Sequence, residues 1–109
     1  MCGIAGLIDF SATTSTPDLD HLTRKMTDTL LHRGPDGGDV WVDAEVGVGL
    51  GHRRLAIIDL SEAGHQPMTS HNGRFVMVYN GEVYNAEDLR PELIAKGYTF
   101  KGHSDTEVM

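Results

Sequence analysis

Residues 38–84 alternate short apolar runs with turn-forming residues, and this stretch limits the possible folds more than any other part of the chain. Val40-Trp41-Val42 and the run 46–50 flank a short Asp43-Ala44-Glu45 turn. A further apolar run covers 55–60, and Asn72-Gly73 stands before the run 75–79 as a hairpin signal. Strands this short cannot hide their apolar faces singly, so they predict an antiparallel sheet that other elements must cover. Gly47, Gly49 and Gly51 fall on alternate positions of one predicted strand. They share a face, and a face without side chains admits a close neighbour.

The covering elements are predicted on either side of that stretch. Thr16-Pro17 supplies an N-cap followed by proline at the first helical position. Leu19, Leu22, Met26 and Leu30 recur at spacings of three and four, which predicts an amphipathic helix with those side chains on the core. Gly34-Pro35 stops it. Asn85 is placed to cap a second helix carrying Leu89, Leu93 and Ile94, with Gly97 as its stop and Pro91 as a kink or restart. The run 3–10, with Ile4, Ala5, Leu7 and Ile8 among glycines, reads as a buried strand, and 11–15 as a polar loop. The order strand, helix, several antiparallel strands, helix predicts an α+β fold with a sheet core and helices outside it. Ser104-Asp105-Thr106-Glu107 has the spacing of a capping box opening one more helix. A helix that ends at Met109 is too short to stand alone, so the chain reads as the front part of a longer domain.

With 109 residues, 39% of them hydrophobic, the chain has room for one small domain with a modest core. A formal net charge of −7 opposes binding to nucleic acid or to anionic membranes, both of which need a basic surface. No apolar run approaches the roughly 20 residues that span a bilayer, and no leader pattern opens the chain. One cysteine makes no internal disulfide, which fits a reducing cytoplasm. That lone thiol is left with packing or chemistry.

For Cys2 the ordinary reading is a packed cysteine at the start of a strand. The chemical one begins with removal of Met1, which gives Cys2 a free α-amine. That amine, with a pKa of roughly 7.7–8.0, can serve the thiol of the same residue as its base. Asn80-Gly81 is by spacing a hairpin turn, and by chemistry a pair of donors, side-chain amide and backbone N–H, for an oxyanion. Arg53 and Arg54 read as a surface pair, although Arg54 is able to clamp a carboxylate with two parallel hydrogen bonds. Asp105 reads as a helix cap or as a partner for an α-ammonium group. The six histidines are scattered, fit surface or turn positions, and give no metal-ligand spacing. Neither phosphate-loop pattern is present.

Taken together, these pieces resemble one family. Met1-Cys2-Gly3-Ile4-Ala5-Gly6, His32-Arg33-Gly34-Pro35-Asp36 and Gly51-His52-Arg53-Arg54-Leu55-Ala56-Ile57-Ile58-Asp59-Leu60-Ser61 occur in order. Gly64-His65-Gln66-Pro67-Met68, Asn80-Gly81-Glu82-Val83-Tyr84-Asn85 and Ser104-Asp105-Thr106-Glu107-Val108 follow them. The chain resembles, over its whole length, the glutaminase domain of class II glutamine amidotransferases, most closely the glutamine-hydrolysing asparagine synthetase branch. The resemblance implies an N-terminal-nucleophile hydrolase fold, an αββα sandwich of which residues 1–109 would be the N-terminal portion. It implies that Cys2 is the nucleophile and that Asn80 and Gly81 form the oxyanion hole. Arg54, with backbone of an Ile57-Ile58 strand, would hold the α-carboxylate of L-glutamine, and Glu82 and Asp105 its α-ammonium. It implies no cofactor or metal in this portion. ATP and magnesium would belong to a separate synthetase domain that receives the ammonia.

Two other readings compete with this one. In the first, the chain is a catalytically incomplete fragment that forms homo-oligomers through exposed sheet edges. In the second, the acceptor is a sugar phosphate or a polysaccharide. The run 55–61 followed by Gly64-His65-Gln66-Pro67-Met68 favours the asparagine-synthetase branch.

Overall fold

The structure, a computed structural model, describes residues 1–57 and 60–109. It is mixed α and β, as predicted, and divides into two compact units. Met1–Leu55 with Gln66–Asn80 form the first, and Ala56–His65 with Gly81–Met109 the second.

In the first unit, β1 (Gly3–Ile8), β2 (Gly37–Asp43) and β3 (Val48–Arg54) form an antiparallel sheet in the order β1-β3-β2, with β3 central. Helix α1 (Thr16–Asp28) packs across all three strands. The register places Gly49, Gly51 and Arg53 of β3 on the helix side, next to Val40 and Val42 of β2. A Cβ on Gly49 would strike Thr23, and one on Gly51 would strike Thr27. The shared glycine face predicted from the alternation is therefore the bed of α1. Gly47 is not part of it: with φ +72° it turns the chain ahead of β3.

The same packing corrects the predicted helix face. Leu19, Thr23 and Thr27 are buried, whereas Leu22 is 47% and Met26 41% exposed. The backbone of α1 comes so close to the glycines that small threonines fit beneath it. Each threonine hydroxyl donates to the carbonyl four residues back, Thr23 to Leu19 and Thr27 to Thr23, so burial leaves neither unsatisfied. Leu30 follows the helix end and lies against Gly3. The N-cap is Ser15, one residue earlier than predicted, its hydroxyl accepting from Asp18 N–H. In the loop before it, the Asp9 carboxylate accepts from Ser11 and Thr14 hydroxyls and from three backbone N–H groups, which hold its pKa far below the usual carboxylate range.

Strand β1 lies at the sheet edge and is not buried on both faces. Ile4 and Ile8 are 47% and 58% exposed, and the register sets them on one face with Val48, Leu50 and Trp41. Strand β3 also runs further than predicted. The register extends through Arg54, so His52 and both arginines are strand residues, while Leu55, Ala56 and Ile57 follow without strand structure. Arg53 is not a solvated surface arginine. Its side chain is 14% exposed, Nε donates to Gly34 O at 3.0 Å, and its guanidinium lies 3.9 Å from Asp28. Gly34 does not end α1; it is glycine because a Cβ there would strike the Arg53 backbone. Arg53→Ala is expected to destabilise the unit by about 1–3 kcal/mol, since it strands a carbonyl and empties a packed site. A shift of the denaturation midpoint at constant slope checks this.

The hairpin predicted at Asn72-Gly73 is present. It joins β4 (Met68–Thr69) to β5 (Val76–Met77), with Gly73 at φ +71° and the Asn72 side chain accepting from Arg74 N–H. Asn80-Gly81 is not a hairpin turn: neither residue has positive φ, and no described strand follows them.

The second unit contains a 3-10 turn at Glu62–Gly64, helix α2 (Ala86–Ala95) and a 3-10 turn at Asp105–Val108. Asn85 occupies the N-cap position of α2 but makes no side-chain cap bond, Pro91 lies within the helix, and Gly97 follows it at φ +93°. Arg90 projects from α2, stacks 4.6 Å from the Phe100 ring and donates to the carbonyls of Gly102 and Ser104. Among the described residues no helix is long and apolar enough to cross a membrane.

Candidate active site

In the first unit the antiparallel register pairs Gly3 with Arg53, which sets Cys2 one step beyond that pair, where β3 ends. The Cys2 sulfur is half-buried against the Leu55 backbone. Leu55 N–H donates to it at 3.3 Å, and the thiol donates to Leu55 O at 3.6 Å. Met1 is 69% exposed. Arg54 shares with His52 the sheet face opposite α1, because side chains alternate along β3 and Arg53 points to the helix. The carbonyl of Arg54 accepts from Asp36 N–H, which fixes the strand end from the β2 side. Cys2 and Arg54, far apart in sequence, thus meet the same end of β3.

Asn80 is half-buried and follows Tyr79, whose backbone two buried side chains hold. Tyr79 N–H donates to Gln66 Oε1 at 2.6 Å, and Tyr79 O lies 3.3 Å from His52 Nε2. A carbonyl only accepts, so that nitrogen carries the proton. His52 is 1% and Gln66 6% exposed. Surface or turn positions were predicted for the histidines, and His52 departs from that because β3 continues through it. Had the strand been read to Arg54, the alternation would have set His52 on the Leu50 face.

In the second unit the Asp105 carboxylate accepts from Val83 N–H at 2.6 Å and fastens the segment after Gly81. Asp105 does not cap the helical turn. Ser104 does, its hydroxyl accepting from Thr106 N–H, while the Glu107 carboxylate reaches back to Lys101 and Gly102 N–H. The capping box thus keeps its serine and redirects its glutamate to an earlier loop. Gly81 and Glu82 are exposed, as is Ile57. Ile58 lies outside the described residues, and an Ile57-Ile58 strand is not seen at Ile57, which sits in a bend. Among the described residues no cluster of three His, Cys, Asp or Glu side chains is able to hold a metal ion.

Comparison with known proteins gives one consistent answer. A family model described as a glutamine amidotransferase domain matches residues 1–109. The chain is 47% identical over its full length to asparagine synthetase (glutamine-hydrolysing) 3 of Bacillus subtilis strain 168, covering 17% of that relative. It is 43% identical over its full length to asparagine synthetase (glutamine-hydrolysing) 1 of the same organism, again covering 17%. Amidase chry2 of Gibberella zeae is 37% identical, with all of this chain and 17% of that protein covered. The chain therefore spans about a sixth of the length of the curated relatives it matches.

Proposed function

The chain belongs to the glutamine amidotransferase domain family, and from that premise we propose that it is the N-terminal portion of a glutaminase domain that hydrolyses L-glutamine through a Cys2 thioester. The observation that carries this reading is the position of the lone thiol, half-buried on the Leu55 backbone at the strand end that also bears Arg54.

Removal of Met1 frees the Cys2 amine, which takes the thiol proton. The thiolate attacks the δ-carbonyl carbon of glutamine, and the Asn80 amide and Gly81 N–H donate to the oxyanion. Collapse of the tetrahedral intermediate breaks the C–N bond. The nitrogen leaves as ammonia with the proton held by the Cys2 ammonium, and a glutamyl thioester remains. Water, deprotonated by the same amine, then releases glutamate and restores the thiol. Arg54 holds the substrate α-carboxylate, assisted by backbone at Ile57-Ile58, and Glu82 and Asp105 receive the α-ammonium. Clamping both charged ends fixes the δ-carbonyl, which is where orientation lowers the barrier.

The sheet supports the larger fold as well. Its helix-covered face and its half-exposed apolar face with Ile4 and Ile8 are what one half of an αββα N-terminal-nucleophile sandwich presents. The asparagine synthetase relatives support the destination of the ammonia, an ATP- and magnesium-dependent synthetase domain that residues 1–109 do not include. Two tests follow from this reading. Glutamine-dependent glutamate release by the full-length protein should disappear when Cys2 is replaced. Arg54→Lys should raise KM for glutamine about ten- to a hundredfold with kcat little changed, because an ammonium cannot reproduce the bidentate grip. An unchanged KM removes Arg54 from the clamp.

A further inference from the structure

Strand β5 ends at Met77, so the backbone of Tyr79 has no ladder to join. A peptide outside a sheet must find other partners when it is partly buried. Here both polar groups of one residue are met by side chains from two separate elements. Gln66 precedes β4 and accepts the Tyr79 N–H, while His52 lies in β3 and meets the Tyr79 carbonyl. Burying an imidazole to 1% and a carboxamide to 6% exposure is costly, and each side chain makes one hydrogen bond to this residue, through His52 Nε2 and Gln66 Oε1. His52 Nδ1 is buried and makes no hydrogen bond among the described residues. Tyr79 immediately precedes Asn80.

We infer that His52 and Gln66 are positioning residues, a two-sided clamp on the Tyr79 peptide that aims the Asn80 amide. The inference rests on the glutaminase reading of Asn80 as an oxyanion donor. An oxyanion donor works by being in place before charge develops, and a displacement of about 1 Å costs on the order of 10² in rate. The His52 bond anchors the clamp to the central strand, at the position paired with Ile4 and two residues from Cys2. One strand thus sets the height of both the nucleophile and the Asn80 segment.

The experiment is steady-state glutaminase kinetics on the full-length protein, with kcat expressed per folded molecule. His52→Leu should lower kcat by about 10² with KM for glutamine nearly constant, since the zwitterion clamp is untouched. His52→Gln, which keeps an N–H donor, should recover most of that loss. In an Asn80→Ala background His52→Leu should cost little more, because a residue that acts through Asn80 has nothing left to aim. Gln66→Met frees the same peptide from its N–H side and should repeat the pattern, so it carries the test if His52→Leu does not fold. Equal losses with and without Asn80, or a wild-type kcat in folded His52→Leu and Gln66→Met, overturn the clamp alone when turnover still depends on Cys2. Turnover indifferent to Cys2 overturns the glutaminase reading and the clamp with it.

Discussion

Cys2→Ser is expected to reduce glutamate release from glutamine by about 10⁴-fold or more, the scale seen when a catalytic nucleophile is removed. Serine is close in size and still accepts from Leu55 N–H, which donates to the sulfur in the wild-type chain. The fold should therefore tolerate the change, with a denaturation midpoint near that of the wild type. What changes is chemistry: a hydroxyl is a far weaker acid than a thiol, and the amine of the same residue cannot deprotonate it to a useful extent. A cysteine that only packs predicts the opposite pair of results, some loss of stability and full activity. Measuring both quantities on the same preparation separates the two roles.

Gly51→Val carries the largest expected effect on stability. Gly51 lies in the central strand, and a Cβ there would meet Thr27 Oγ1, with Thr27 Cβ and Cγ2 at 3.0 and 3.2 Å. The Thr27 hydroxyl is committed to Thr23 O at 2.7 Å and does not swing aside without losing that bond. The helix must then lift off all three strands. Overpacking of this kind costs about 3 kcal/mol, a large part of the stability of a small domain. Gly51→Ala combined with Thr27→Ala, which removes the opposing hydroxyl and methyl, should recover much of the loss. Denaturant titration of the single and double variants measures the recovery.

Much of this was legible in the sequence, and the errors share a physical origin. The glycine alternation gave the bed of α1 because glycines at every second strand position leave a groove whatever covers them. The apolar spacing of Leu19, Leu22, Met26 and Leu30 gave the helix but not its buried face. Periodicity reports where apolar residues lie, whereas close approach to Gly49 and Gly51 selected Thr23 and Thr27 by size. The boundary of the predicted strand 46–50 slips short of the observed end at Arg54 because polar His52, Arg53 and Arg54 look like a turn, although each has a partner in the fold. That slip hid both the support of Gly34 by Arg53 and the contact of His52 with Tyr79. Cys2 and Arg54 were chosen from motif order, and the register brings both to the end of β3. The Asp105 bond to Val83 depends on a loop path that Arg90 fixes from α2, and no local pattern encodes it.

The central claim is that Cys2, with Met1 removed, is the residue that attacks glutamine. An electrophilic glutamine analogue, such as the diazoketone or chloroketone of the same carbon skeleton, tests it by peptide mass after reaction with the full-length protein. The account predicts one equivalent of label on a peptide that begins at Cys2, suppressed by excess glutamine and absent in Cys2→Ser. Glutamine hydrolysis by a chain that retains Met1, or glutamine-protected label on any other residue, would contradict it.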